Sequence, residues 1–221
     1  MTERPILFSG AMVRAILAGE KTQTRRVVKP QPYNDPAVKV RMHRGTALFG
    51  ALADAAVGDE WKCPYGQPGD RLWVRETWAP NDGSEGGYLY RADHSGASGF
   101  HTVDLKTGVW THSVSRWRPS IHMPRAVSRI TLEITGVRVE RLQAISEDDA
   151  RAEGVEVWAQ GTMSPEGQRN YSAIGKFERL WSSINGNDSW QADPWVWVVE
   201  FKRLEAAQAQ PAGEKEGGDQ P

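Results

Sequence analysis

An α+β fold with a mostly β core is the class this sequence predicts, and three observations carry it. Apolar residues alternate over Ile130, Leu132 and Ile134 and run unbroken over Trp195-Val196-Trp197-Val198-Val199, as strands do. Helical spacing is confined to short stretches near residues 9–19, 146–154 and 174–184. Strands and helices do not alternate as βαβα, and neither G-x-G-x-x-G nor G-x-x-x-x-G-K-[ST] occurs, which sets aside the doubly wound nucleotide-binding folds.

The first element is a helix from Ser9 to Gly19. Met12, Val13, Ile16 and Leu17 share its apolar face, Ser9 is the N-cap and Gly19 the residue that ends it. Lys21 to Val28 follows as a strand stopped by Lys29-Pro30-Gln31-Pro32. The Gln67-Pro68-Gly69-Asp70 turn feeds a strand from Arg71 to Trp78, with Leu72, Val74, Glu76 and Trp78 on one face and Arg71, Trp73, Arg75 and Thr77 on the other. Apolar and charged groups mix on both faces, the pattern of a strand lining a partly polar pocket or of a bulged structural strand. Ile130, Leu132 and Ile134 alternate, Gly136 interrupts and Val137 and Val139 resume, which predicts two strands joined at a bend or one bulged strand. Ser146 caps a short acidic helix that Gly154 ends, and Ile174, Phe177, Leu180, Trp181 and Ile184 define a third helix that stops near Asn185-Gly186. The last strand, Pro194 to Phe201, has the composition of one buried on both faces.

At 221 residues, 39% hydrophobic and 25% charged, the chain lies in the ordinary globular range. It is long enough for a single core to bury roughly 70% of the unfolded surface. We therefore expect one domain over residues 1–204, with insertions near 33–60, 81–113 and 155–172, and a disordered tail at 205–221. Neither a membrane-spanning run nor a signal peptide is legible, so a cytoplasmic location is expected. One cysteine and five scattered histidines give no metal-ligand spacing, and neither a metal nor a cofactor is expected.

The net charge of −1 conceals an asymmetry. Residues 1–44 carry nine Lys/Arg against three acids, and no acid falls between Val114 and Ile130, a stretch holding Arg116, Arg118, Arg125 and Arg129. Either stretch alone describes a solvated surface; together they point to a nucleotide or nucleic-acid ligand. Ten tryptophans add flat surfaces for stacking. Trp181, Trp195 and Trp197 belong to the core pattern, whereas Trp78 and Trp117, beside arginines, are equally suited to a ligand.

The densest candidate for chemistry is Leu17 to Arg26, LAGEKTQTRR. Lys21 three residues before Thr24, with Arg25 and Arg26 following, supplies a base, a hydroxyl nucleophile and cations, although a surface strand has the same composition. In an ideal strand Lys21 and Thr24 point to opposite faces, so joint action needs Lys21 at the helix-to-strand turn. Bringing a lysine pKa from about 10.4 to near 7.5 costs about 4 kcal/mol and requires burial or neighbouring cations. Glu153, at the end of the acidic helix, would have to approach in space to orient it.

The helix leading into LAGEKTQTRR, the PGDRLWVRE turn and strand, the ISEDDARAEGV helix and the WVWVVEFKRL strand together resemble the ASCH domain, a relative of the PUA-like RNA-binding barrels, over about residues 5–204. Similar long versions are frequent in phages and prophages. The resemblance implies a PUA-like mixed β-barrel with flanking helices. Small bacterial members of the family are N4-acetylcytidine amidohydrolases with a proposed Lys/Thr/Glu triad, which matches Lys21, Thr24 and Glu153 here. On that reading Thr24 attacks the amide carbonyl, Lys21 moves the proton and Glu153 holds Lys21. Arg26, Arg71, Arg75 and Glu76 hold the base or the developing oxyanion, and Trp78 stacks on the ring. The partner is then a modified nucleoside or nucleobase, with RNA or single-stranded nucleic acid as a further possibility. The insertions make the chain about twice the size of the minimal enzymes. A non-catalytic module that reads a modified base and an ASCH-type ribonuclease remain alternatives, because a polar pocket with arginines and aromatics serves all three.

Overall fold

The computed structural model describes residues 1–32, 39–43, 45–50, 59–83, 86–94, 101–103, 110–114, 116–155 and 172–205. Its longest strand pair is the one the apolar alternation marks: Thr131–Arg141 against Trp195–Arg203, antiparallel from Leu132↔Arg203 to Arg141↔Trp195. The register shifts between Ile134 and Gly136. Gly136 stands at the shift, where a Cβ would displace the Glu200 carboxylate.

Numbered in chain order, the strands are β1 (Glu3–Leu7), β2 (Gln23–Val27), β3 (Lys39–His43), β4 (Thr46–Gly50), β5 (Asp59–Lys62), β6 (Arg71–Arg75), β7 (Trp78–Pro80), β8 (Tyr88–Tyr90), β9 (His101–Val103), β10 (Trp110–Ser113), β11 (Thr131–Arg141) and β12 (Trp195–Arg203). The helices are α1 (Gly10–Leu17), α2 (Glu147–Ala152) and α3 (Ala173–Asn185). The main sheet has the order β1-β6-β11-β12-β2, with β1 and β6 parallel and the other neighbours antiparallel. The result is an α+β fold. Among the described residues no ladder joins β1 to β2, although Arg26 Nη2 reaches from β2 to the Leu7 carbonyl at the end of β1, 2.7 Å away.

Strand β12 explains its own sequence. Trp195, Trp197, Val199 and Phe201 face one apolar cluster with Ile6, Phe8, Val13, Ile16 and Leu72. Val196 and Val198 face a second, with Leu142, Ala150, Phe177, Trp181 and Trp190. Helix α1 closes the first layer and α3 the second, so the strand is buried on both sides and needs no polar face. The predicted caps form: Ser9 Oγ accepts from Met12 N at 3.4 Å and Ser146 Oγ from Asp149 N at 3.1 Å.

The expected strand over 71–78 is divided. β6 ends at Arg75, the Glu76 N–H turns to Met123 Sδ, and Trp78 begins β7, paired with β8 and bridged to Arg118. The region 33–60, expected as an insertion without clear periodicity, contributes β3, β4 and the start of β5 to a three-stranded sheet, and 81–113 contributes β8, β9 and β10. Residues 156–171 of the expected third insertion and 206–221 of the expected tail lie outside the described residues. Among the described residues no helix is long and apolar enough to cross a membrane, and no group of His, Cys, Asp or Glu is placed to hold a metal ion.

Candidate active site

The end of α1 sets the site. Gly19 adopts a left-handed conformation, φ 78°, and the Ala15 carbonyl accepts from both Glu20 N and Lys21 N, at 2.9 and 3.1 Å. This tight turn puts Lys21 ahead of β2 rather than within it, so Lys21 and Thr24 are free of strict strand alternation. Lys21 forms an isolated antiparallel bridge with Glu153, the C-cap residue of α2, and Thr22 N donates to the Ala152 carbonyl at 2.9 Å. Gly154, φ 78°, completes the clasp: a Cβ there would fall 2.8 Å from both Ala15 Cβ and Lys21 Cβ.

Inside the clasp, Lys21 Nζ donates to the Glu153 carbonyl at 2.8 Å and to Glu153 Oε2 at 2.9 Å, and its side chain is wholly buried. Arg25 Nη1 takes the other carboxylate oxygen, Oε1, at 3.2 Å. Arg25 also pairs with Glu140 of β11 and lies 3.4 Å from Asp149 Oδ2. Arg138 extends the cluster, bonding Glu140 Oε2 at 3.1 Å, Asp149 Oδ1 at 2.8 Å and the Glu200 carboxylate. Burial lowers the Lys21 pKa from its ordinary value; the Glu153 carboxylate opposes this, while the charges of Arg26 and Arg25 add to it. Asp149 is held below the usual carboxylate range, burial being outweighed by the Ser146 hydroxyl, Arg138 and Arg25.

Beside this network lies a cavity of about 60 Å³ lined by Thr24, Arg25, Arg26 and Glu153 together with Met12 and the α3 residues Phe177, Trp181 and Asn185. Thr24 pairs with Val199 in the sheet and is 2% exposed. Three buried donors in the lining, Arg25 Nε, Arg26 Nε and Trp181 Nε1, have no hydrogen-bond partner among the described residues. Each such donor costs about 1–3 kcal/mol unless an acceptor is supplied. The space equals that of about two water molecules.

The structure thus joins Lys21 to Glu153 and sets Thr24, Arg26 and Glu153 around one cavity. Arg71, Arg75, Glu76 and Trp78 are not in the lining of that cavity. Arg75 donates to the Met123 and Ile121 carbonyls, at 3.1 and 2.5 Å. Glu76 is 1% exposed and accepts from Arg129 at 2.9 and 3.1 Å; burial raises its pKa against the pull of Arg129. Arg71 sits at the start of β6, its N–H on the Thr2 carbonyl, and its Cα faces Glu3 in the ladder. Trp78 is 4% exposed, packed with Met123, Val127 and Tyr90, with Arg118 over its ring. None of these four residues contributes to the cavity beside Thr24.

Sequence reasoning missed Arg138, Glu140 and Asp149 as parts of the network, and Trp181 as a cavity wall. A signal existed for three of them: Arg138 and Glu140 are two apart on one strand face, and Asp149 and Glu153 are four apart on one helix face. Compared with family models, curated proteins and solved structures, the chain matches none.

Proposed function

We propose that the chain is an ASCH-type member of the PUA-like barrels and an amidohydrolase that removes a small acyl group from an N-acylated nucleobase or nucleoside, N4-acetylcytidine being the model substrate. The observation that carries this reading is the buried Lys21–Glu153 pair, whose Glu153 lines the same cavity as Thr24, with burial lowering the Lys21 pKa. The barrel reading draws support from the approach of the two sheet edges at Arg26 and Leu7.

Neutral Lys21 takes the Thr24 hydroxyl proton as Oγ attacks the amide carbonyl. The tetrahedral oxyanion is met by the donors that line the cavity, Arg26 first among them. Lys21, now an ammonium held by Glu153, returns the proton to the departing exocyclic N4 amine as the acyl C–N bond breaks. Water, activated by the same lysine, then hydrolyses the threonine ester and releases the carboxylate. The two donors that Lys21 spends on Glu153 favour a second reading, in which the pair is a structural clasp and the pocket reads a modified base without chemistry. Incubation of purified protein with N4-acetylcytidine, followed by chromatography, separates them: cytidine and acetate in equal amounts support hydrolysis, and unchanged substrate leaves the second reading.

A further inference from the structure

A second concavity lies apart from the Lys21 network, between β7 and the segment Arg116–His122. Its volume is about 430 Å³, within the range of small-ligand pockets, and Arg116, Trp117, Arg118, His122 and Asp82 line it together with prolines. Arg116, Arg118 and His122 are exposed, and among the described residues none of them has a carboxylate partner. This is unlike Lys21, Arg25, Arg125, Arg129 and Arg138, each of which is paired with an acid. Two guanidinium charges thus face one carboxylate, Asp82, inside a concave wall that concentrates their field.

The wall is built, not a mobile fringe. Arg118 N donates to the Trp78 carbonyl at 2.7 Å and Trp78 N to the Arg118 carbonyl at 3.2 Å, which fixes the basic segment to β7. The Arg118 guanidinium stacks 5.0 Å from the Trp78 ring centroid, and Arg91 lies 5.6 Å from that of Trp117. Trp117, half-buried, offers an aromatic surface within the same cleft.

We propose that this cleft binds the phosphate of a nucleotide unit, with Arg116 and Arg118 on the phosphate oxygens and Trp117 against the base. Guanidiniums with no acid partner among the described residues match phosphate oxygens bidentately, and an indole stacks on a base, which an acidic peptide could not use. The inference is independent of hydrolysis at Thr24, and no part of its test reads hydrolysis.

The test is binding by the full chain, followed by fluorescence, of cytidine, cytidine 5′-monophosphate, a labelled ten-nucleotide oligocytidylate and a polyglutamate peptide. The monophosphate should bind at least tenfold more tightly than cytidine. R116Q/R118Q should weaken the phosphorylated ligands at least tenfold at an unchanged melting temperature. For the oligonucleotide it should also flatten the log–log salt slope by about 1.4, near 0.7 per lost phosphate contact. R116Q alone, at an exposed residue without a partner, serves if the double variant is unstable, and should cost about half the slope. An oligonucleotide bound more tightly than the monophosphate assigns the cleft to a polymer; equal binding assigns it to a free nucleotide. Wild-type affinity in the arginine variants, cytidine bound as well as its monophosphate, or polyglutamate competing as well as the oligonucleotide would each overturn the proposal.

Discussion

Lys21 donates from one ammonium to both the backbone carbonyl and the side-chain carboxylate of Glu153, 132 positions away in sequence. A lysine this buried is held in one place, and its charge is set by burial, Arg26 and Arg25 acting against Glu153. That relationship gives the site a pH signature with a definite sign.

In the folded state burial favours neutral Lys21, so its pKa lies below the unfolded value of about 10.4. Between the two values the unfolded chain binds more protons, and the Lys21 contribution to stability rises with pH across that window. The difference in melting temperature between wild type and K21M should therefore shift in favour of wild type as pH rises. Hydrolysis, which needs the neutral amine, should rise over the lower part of the same window. A stability difference that falls with pH would mean that Glu153 outweighs burial.

Removing the Glu153 side chain takes from buried Lys21 its carboxylate partner and from Arg25 one of three. E153A should lose about 3–5 kcal/mol in denaturant unfolding, because the buried ion pair of Lys21 is broken while its amine keeps only the residue 153 carbonyl. E153Q keeps an acceptor oxygen and should lose clearly less, yet its turnover should fall with that of E153A. A glutamine variant of normal activity would reduce the carboxylate to a structural role.

Gly154 and Gly19 share the same φ of 78°, but only Gly154 is crowded, with Lys21 Cβ and Ala15 Cβ each 2.8 Å from where its own Cβ would stand. G19A should cost about 1 kcal/mol, the ordinary penalty of a left-handed non-glycine residue. G154A should cost at least about 1 kcal/mol more and should also lower turnover by displacing Lys21. Equal melting temperatures for the two variants would show that the clasp yields without strain.

Glu147 lies on the same short helix as Glu153 but faces the next one, its carboxylate accepting from Ala173 N at 2.9 Å and Ile174 N at 3.4 Å. It supplies the charge that the first turn of α3 lacks. E147A should lose about 1 kcal/mol of stability with turnover retained. A large loss of turnover at full stability would place Glu147 in the chemistry.

What could be read ahead of the structure was local. Ser9, Ser146 and Gly154 mark helix ends through their own backbone preferences, and the unbroken apolar run of β12 marks burial on both faces. Lys39-Val40-Arg41-Met42-His43 alternates as a strand should, but five residues in a stretch without other periodicity were too few to stand out. The 71–78 segment alternates in sequence as a single strand while its chain turns at Glu76, because Met123 and Arg129, from distant segments, claim its amide and carboxylate. Arg25 shows the same limit within the site: its partners come from β11 and α2, and no spacing in LAGEKTQTRR announces Glu140 or Asp149. Trp181 has the periodicity of a core residue and is one; that its indole N–H also borders a cavity depends on where α3 crosses β2.

The account rests on Thr24 and Lys21 acting as one unit. The most direct measurement is the turnover of N4-acetylcytidine by wild type, K21A, T24A and the K21A/T24A double variant under identical conditions. Each single variant should be reduced by orders of magnitude and the double variant little further, as befits a nucleophile and its base. A T24A enzyme of near-normal turnover would contradict threonine as the nucleophile, and a wild type that releases no cytidine would contradict the amidohydrolase itself.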